Sequence, residues 1–170
     1  MGSDAVQPIM VRLTVNGKAV SLEVQPSEAL ASTLRNQLRL TGTKLSCDVQ
    51  VCGACTVLVD GLPRSACTYL TYEARGRQVL TVEGLAPSDD ALHPLQAAFL
   101  KHNAYQCGFC TGGMLMAAQA YLATGGDGED DDLVETMDGN ICRCTGYLPI
   151  LAAILEARSS APDAGGPEEA

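Results

Sequence analysis

The sequence predicts an α+β fold in two successive parts, a strand-rich half with one helix followed by an all-helical half. Three observations carry this. Residues 9–15 alternate apolar and polar (Ile9, Val11, Leu13, Val15), as a half-buried strand does, and run straight into Asn16-Gly17. After Gly84 that alternation gives way to helical spacing. The 8 cysteines fall four to each half of the 170 residues.

Taken in order, Asn16-Gly17 reads as a tight hairpin turn, with a second strand near Ala19–Val24. Pro26-Ser27 precedes a helix from about Glu28 to Gln37, which Ser27 is placed to cap by accepting a first-turn N–H. Residues 42–55 are rich in Gly, Cys and Ser and have no period, the pattern of a loop wrapped around something. Thr56–Val59 is a short β-prone run closed by the turn pair Asp60-Gly61, and Gln78–Val82 is a further strand. Ala86–Asp90 reads as a linker. Four helical segments follow, His93–His102, Gly113–Ala123, Asp132–Met137 and Pro149–Ala157, with Gly125–Asp131 as a flexible loop. Met114, Leu115, Ala118 and Leu122 share one face of the second, a bundle-core stripe rather than a cofactor box. From Ser159 the chain is Ala, Pro, Gly and Glu, a disordered composition.

Composition excludes several classes. A net charge of −9 repels phosphate backbones, which argues against nucleic-acid binding. Much of the acid sits in Asp127–Asp132 and in the tail ending Glu168-Glu169, read as solvated surface. Met1–Asp4 offers no basic n-region or apolar h-region, and no apolar stretch approaches the about 20 residues of a membrane helix. A soluble cytoplasmic protein is expected, where cysteines point to metal or catalysis rather than disulfides. Aromatics are 4% and Trp is absent, so two small cores would gain from metal cross-links.

Cys47, Cys52, Cys55 and Cys67 are spaced C-x4-C-x2-C-x11-C. A [2Fe–2S] cluster takes four thiolates, two on each iron, and this is the plant-type ferredoxin spacing. Gly53 and Ala54 are small enough for backbone N–H groups to approach the sulfides. A zinc site more often pairs two short knuckles, so the x4 gap and single distant fourth Cys fit it poorly. Cys107, Cys110, Cys142 and Cys144 are spaced C-x2-C-x31-C-x-C, at the ends of facing helical segments. Two ligand pairs can meet there around one small cluster. Zinc remains the alternative for this set, although a C-x-C pair strains a tetrahedral mononuclear site.

Three stretches, Cys47–Val57, Gln106–Thr111 and Gly139–Tyr147, resemble the small iron–sulfur subunit of the molybdenum hydroxylases, the xanthine oxidase family, over about residues 8–158. The resemblance implies a plant-type [2Fe–2S] ferredoxin (β-grasp) domain at 1–86, a four-helix [2Fe–2S]-binding domain at 87–158 and a tail at 159–170. It implies an electron-transfer subunit with no substrate site of its own. Electrons would pass from a molybdenum–pterin centre on a large subunit through two clusters to FAD on a medium subunit. Gln106 and Cys144 match the positions that touch the pterin. A stand-alone ferredoxin-like carrier is the alternative; its acidic surface would steer it to basic partners. A zinc-stabilised interaction module is the third reading.

Two positions depart from the family pattern. Gln50 stands where the family usually has Gly, which costs stability if φ is positive there. Thr111-Gly112-Gly113 replaces Thr-Pro-Gly, removing a Pro that pre-organises a helix start. His93 is expected at the surface or as a cap, and His102 at a helix end where the dipole favours a cation. Arg143 is either a surface ion pair or a positive charge that raises a cluster potential.

Overall fold

A computed structural model describes residues 7–88, 90–125 and 130–160. Residues 127–129 of the acidic run Asp127–Asp132, the Met1–Asp4 start and the tail from 161 lie outside the described residues, as does most of the expected loop Gly125–Asp131. The first half holds strands β1 (Ile9–Val15), β2 (Lys18–Val24), β3 (Thr56–Val59), β4 (Leu62–Ser65) and β5 (Gln78–Leu80), with helix α1 (Leu30–Asn36). Single 3-10 turns lie at Thr71–Ala74 and Val82–Gly84. The second half is helical: α2 (Pro94–Lys101), α3 (Thr111–Ala123), α4 (Asp130–Met137) and α5 (Leu148–Ser160).

The sheet order is β2-β1-β5-β3-β4, with β1 and β5 parallel and the other pairs antiparallel. Both hairpins close on turns with two successive positive φ angles, Asn16 (49°) and Gly17 (75°), then Asp60 (50°) and Gly61 (80°). That twist matches the flanking strands, which is why Asn-Gly and Asp-Gly specify them. The second turn launches β4, which the sequence reading did not assign. Its Pro63 weakens the strand signal, and the sheet tolerates it because β4 is an edge. The strand expected over Gln78–Val82 ends at Leu80, where the chain turns into the 3-10 segment.

Helix α1 starts two residues later than expected, and Ser27 does not cap it. Its first residue outside the helix is Ala29, with no side-chain cap. The free N–H groups of Leu30 and Ala31 instead donate to the backbone carbonyls of Tyr69 (2.7 Å) and Ala66 (2.9 Å). These carbonyls flank Cys67, so the start of α1 fixes the turn that carries that thiol. Glu28, expected as the first helical residue, lies ahead of the helix and accepts from Thr33 Oγ1 at 2.7 Å.

Two cores form. Val11, Leu13, Val15, Leu30, Leu34, Val57 and Val79 fill the first, between sheet and α1. Leu95, Phe99, Met114, Leu133, Ile150 and Ile154 fill the second, among the four helices. The stripe expected on α3 lies in the second core, with Leu122 at its margin. Helix α3 buries its other side too: Met116 and Ala120 pack on Leu58 of β3, joined by Leu80 and Val82. A helix apolar all round is buried all round, and α3 is the wedge between the halves. His93 caps α2, its Nδ1 accepting from the Leu95 N–H at 3.3 Å. Helix α5 runs through Ser160, two residues into the stretch read as tail.

Candidate iron–sulfur centres

None of the eight cysteines forms a disulfide, and their sulfurs meet one another within the two sets that spacing suggested. The 42–55 loop carries Cys47, Cys52 and Cys55, and the turn held by α1 carries Cys67. Within this set Cys47 pairs with Cys52 and Cys55 with Cys67 through thiol contacts. In the second set Cys110 pairs with Cys142, and the Sγ atoms of Cys107 and Cys144 lie 3.6 Å apart. Each set is therefore two pairs. Among the described residues no three Cys, His, Asp or Glu side chains converge as a single ion would require. Two thiolates per iron, on two irons, is the arrangement of a [2Fe–2S] cluster, and the paired donors fit it better than tetrahedral zinc.

Backbone N–H groups converge on the sulfurs. Those of Val51 and Cys52 donate to Cys47 Sγ at 3.3 and 3.4 Å. Those of Cys144 and Thr145 donate to Cys142 Sγ at 3.5 and 3.4 Å. The loop reaches this shape through positive φ at Asp48 (60°), Gln50 (60°) and Gly53 (67°). Donors from Val49, Val51 and Cys52 lower the Cys47 pKa to about 6. Burial pushes the thiols of Cys55 and Cys110 up to about 12. At Cys142 burial acts upward too, but the hydroxyl and N–H of Thr145 and the N–H of Cys144 outweigh it and leave about 7. Each set therefore includes one thiol whose ionisation its N–H donors favour, Cys47 or Cys142, and one that burial disfavours, Cys55 or Cys110; iron would bind all of them as thiolates.

Cys55, Cys67 and Cys142 are buried, whereas Cys107 and Cys144 are exposed, so the second set turns one pair outward. Gln106 lies with that pair, its Nε2 donating to the Cys144 carbonyl at 3.0 Å. Between the sets lies a cavity of about 350 Å³, lined by Cys47 and Cys52 of the first and all four cysteines of the second, with Arg143 on its wall.

Gln50 does take the costly positive φ, and its side chain accepts from Thr68 Oγ1 at 3.0 Å, tying the loop to the residue after Cys67. Helix α3 starts at Thr111, and a side chain at Gly112 would lie 2.9 Å from the Gly42 carbonyl. His102 Nε2 contacts Glu156 at 2.7 Å and joins α2 to α5. The spacing argument missed Asn140, which is buried between the two sets and donates to the Gly53 carbonyl at 3.0 Å. Its place immediately before Ile141-Cys142 was the available signal.

Residues 13–83 match the model of a 2Fe-2S iron-sulfur cluster binding domain, and 81–155 match that of a [2Fe-2S] binding domain. The nicotine 6-hydroxylase small subunit of Paenarthrobacter nicotinovorans is 46% identical over 91% of this chain and 91% of its own length. The chain belongs to the small [2Fe–2S] subunits of the molybdenum hydroxylases. The aldehyde oxidoreductase iron-sulfur-binding subunit PaoA of Escherichia coli is 46% identical over 85% of this chain and 69% of its own. Among solved structures, quinoline 2-oxidoreductase from Pseudomonas putida superposes with a TM-score of 0.86 at 43% identity, over 90% of this chain and 95% of that one. The aldehyde oxidoreductase of Desulfovibrio desulfuricans gives 0.84 at 41% identity, over 88% of this chain and 17% of a much longer one. This small subunit has the family's fold, a β-grasp ferredoxin domain followed by a four-helix domain, and its role is electron transfer within an oxidoreductase. No described helix is long and apolar enough to cross a membrane.

Proposed function

We propose that this chain relays single electrons from a molybdenum–pterin centre on a large subunit to FAD on a medium subunit. Cys107, Cys110, Cys142 and Cys144 hold the cluster that receives them, and Cys47, Cys52, Cys55 and Cys67 hold the cluster that passes them on. The first domain is assigned to 1–86 and the second runs from 87 through the described end of α5 at Ser160. The cytoplasm, which keeps thiols reduced for cluster assembly, is the compartment.

The observation that carries this reading is the cavity of about 350 Å³ bordered by thiols of both sets. Two one-electron centres held this close exchange electrons without either meeting solvent as a free carrier. The exposed pair Cys107 and Cys144, with Gln106 bonded to the Cys144 carbonyl, is the docking point for the pterin. Cys144 would then be both ligand and contact. The clusters supply reversible one-electron storage, and the chain supplies the thiolates and the N–H donors that set their potentials. A stand-alone carrier is less favoured, because similar proteins are named as subunits of larger enzymes. Native purification, with mass spectrometry of co-purifying chains and assays for molybdenum and flavin, tests the proposal. A large molybdenum-bearing partner is expected; a chain that purifies alone with iron only would refute it.

A further inference from the structure

We infer that Asn140 is a positioning residue that aligns the two thiol loops and thereby sets the electronic coupling between the two sites. This rests on the two-cluster reading above. Asn140 is 5% exposed, among the few buried polar side chains. Its Nδ2 crosses from the second domain to the first, donating to the Gly53 carbonyl at 3.0 Å and lying 3.5 Å from Thr56 Oγ1. One residue on, the Ile141 N–H donates to the Cys52 carbonyl at 2.9 Å. Cys52 belongs to the first set, and Ile141 is bonded to Cys142 of the second. A bonded route between the sets thus runs from Cys52 across one hydrogen bond to Ile141 and Cys142.

Asn140 adds a side-chain bond to the Ile141–Cys52 backbone bond, and the two together register the loops. Gly53 has no side chain, and a Cβ there would lie 2.6 Å from Asn140 Cγ. The Gly53 carbonyl also accepts from the N–H and hydroxyl of Thr56, at 3.1 and 2.8 Å, both within its own domain. Removing the Asn140 amide therefore leaves that carbonyl satisfied and its loop folded, while the side-chain bond between loops is lost. The step it serves moves one electron from the second site to the first; no bond forms or breaks, and no proton is consumed.

The test uses the intact complex with its partner chains, comparing Asn140→Ala, and Asn140→Ser as a second, smaller perturbation. Electron-spin resonance of the fully reduced protein reads the splitting that two nearby paramagnets impose on each other. Rapid injection of one electron reads how fast it equilibrates between the sites. The expected result is weaker splitting and equilibration slowed at least about threefold, as befits a loosened alignment, with the iron content and g values of each site retained. Parent-like splitting and rate in loaded variants would overturn the inference, as would loss of iron from both variants, which would make Asn140 a cluster-holding residue instead. If the parent complex itself shows only one iron–sulfur signal, the two-cluster reading is what fails.

Discussion

The Ile141 N–H donates to the Cys52 carbonyl at 2.9 Å, so the loop holding one set of thiols is bonded to the loop holding the other. The domains have separate cores, yet meet backbone to backbone beside their sites. Glycines make that approach possible.

Gly113 opens a test of this packing. A Cβ there would collide with the Gly53 carbonyl and lie 3.1 Å from Ala54 Cα. On helix propensity alone Gly113→Ala would stabilise α3 by about 0.5–1 kcal/mol. Overpacking against backbone costs about 1–3 kcal/mol and should win. Denaturant unfolding is expected to show net destabilisation; a more stable variant would mean the loops are not tightly apposed.

Cys110→Ser is expected to remove the second cluster and leave the first. Iron should fall from about four to about two per chain, with one electron-spin signal persisting. Loss of both signals would show that the first loop depends on the second site for its shape.

At Gln50 the backbone has φ 60°, a cost that only glycine avoids. Gln50→Ala keeps the strain and loses the bond to Thr68, whereas Gln50→Gly loses both. Gln50→Gly is therefore expected to be more stable than Gln50→Ala by about 1 kcal/mol in thermal melts. Equal stability of the two would count against a strained loop.

Lys101 and His102 hold the Glu156 carboxyl below the usual carboxylate range. A depressed folded-state pKa contributes stability above the unfolded value and loses it as pH falls through the folded value. The parent should exceed Glu156→Gln in stability at neutral pH, with the gap closing in the acid range. A gap independent of pH would show that Glu156 acts through packing rather than charge.

Much of this was legible in the sequence because ligand spacing and turn chemistry are local. Asn16-Gly17 and the two cysteine sets needed no tertiary information. The failures involve long-range partners. Ser27 does not cap α1 because carbonyls near Cys67, distant in sequence, already take the N–H groups of Leu30 and Ala31. The second buried side of α3 was hidden because Met116 and Ala120 have a partner only once β3 is in place. Strand β4 was missed because Pro63 masks an edge strand that Asp60-Gly61 had announced.

The most direct test of the central claim is iron, sulfide and zinc analysis of the purified protein with electron-spin resonance after reduction. The account requires about four iron and four sulfide per chain and two distinct signals. Zinc in place of iron, or one signal from a fully loaded chain, would contradict it.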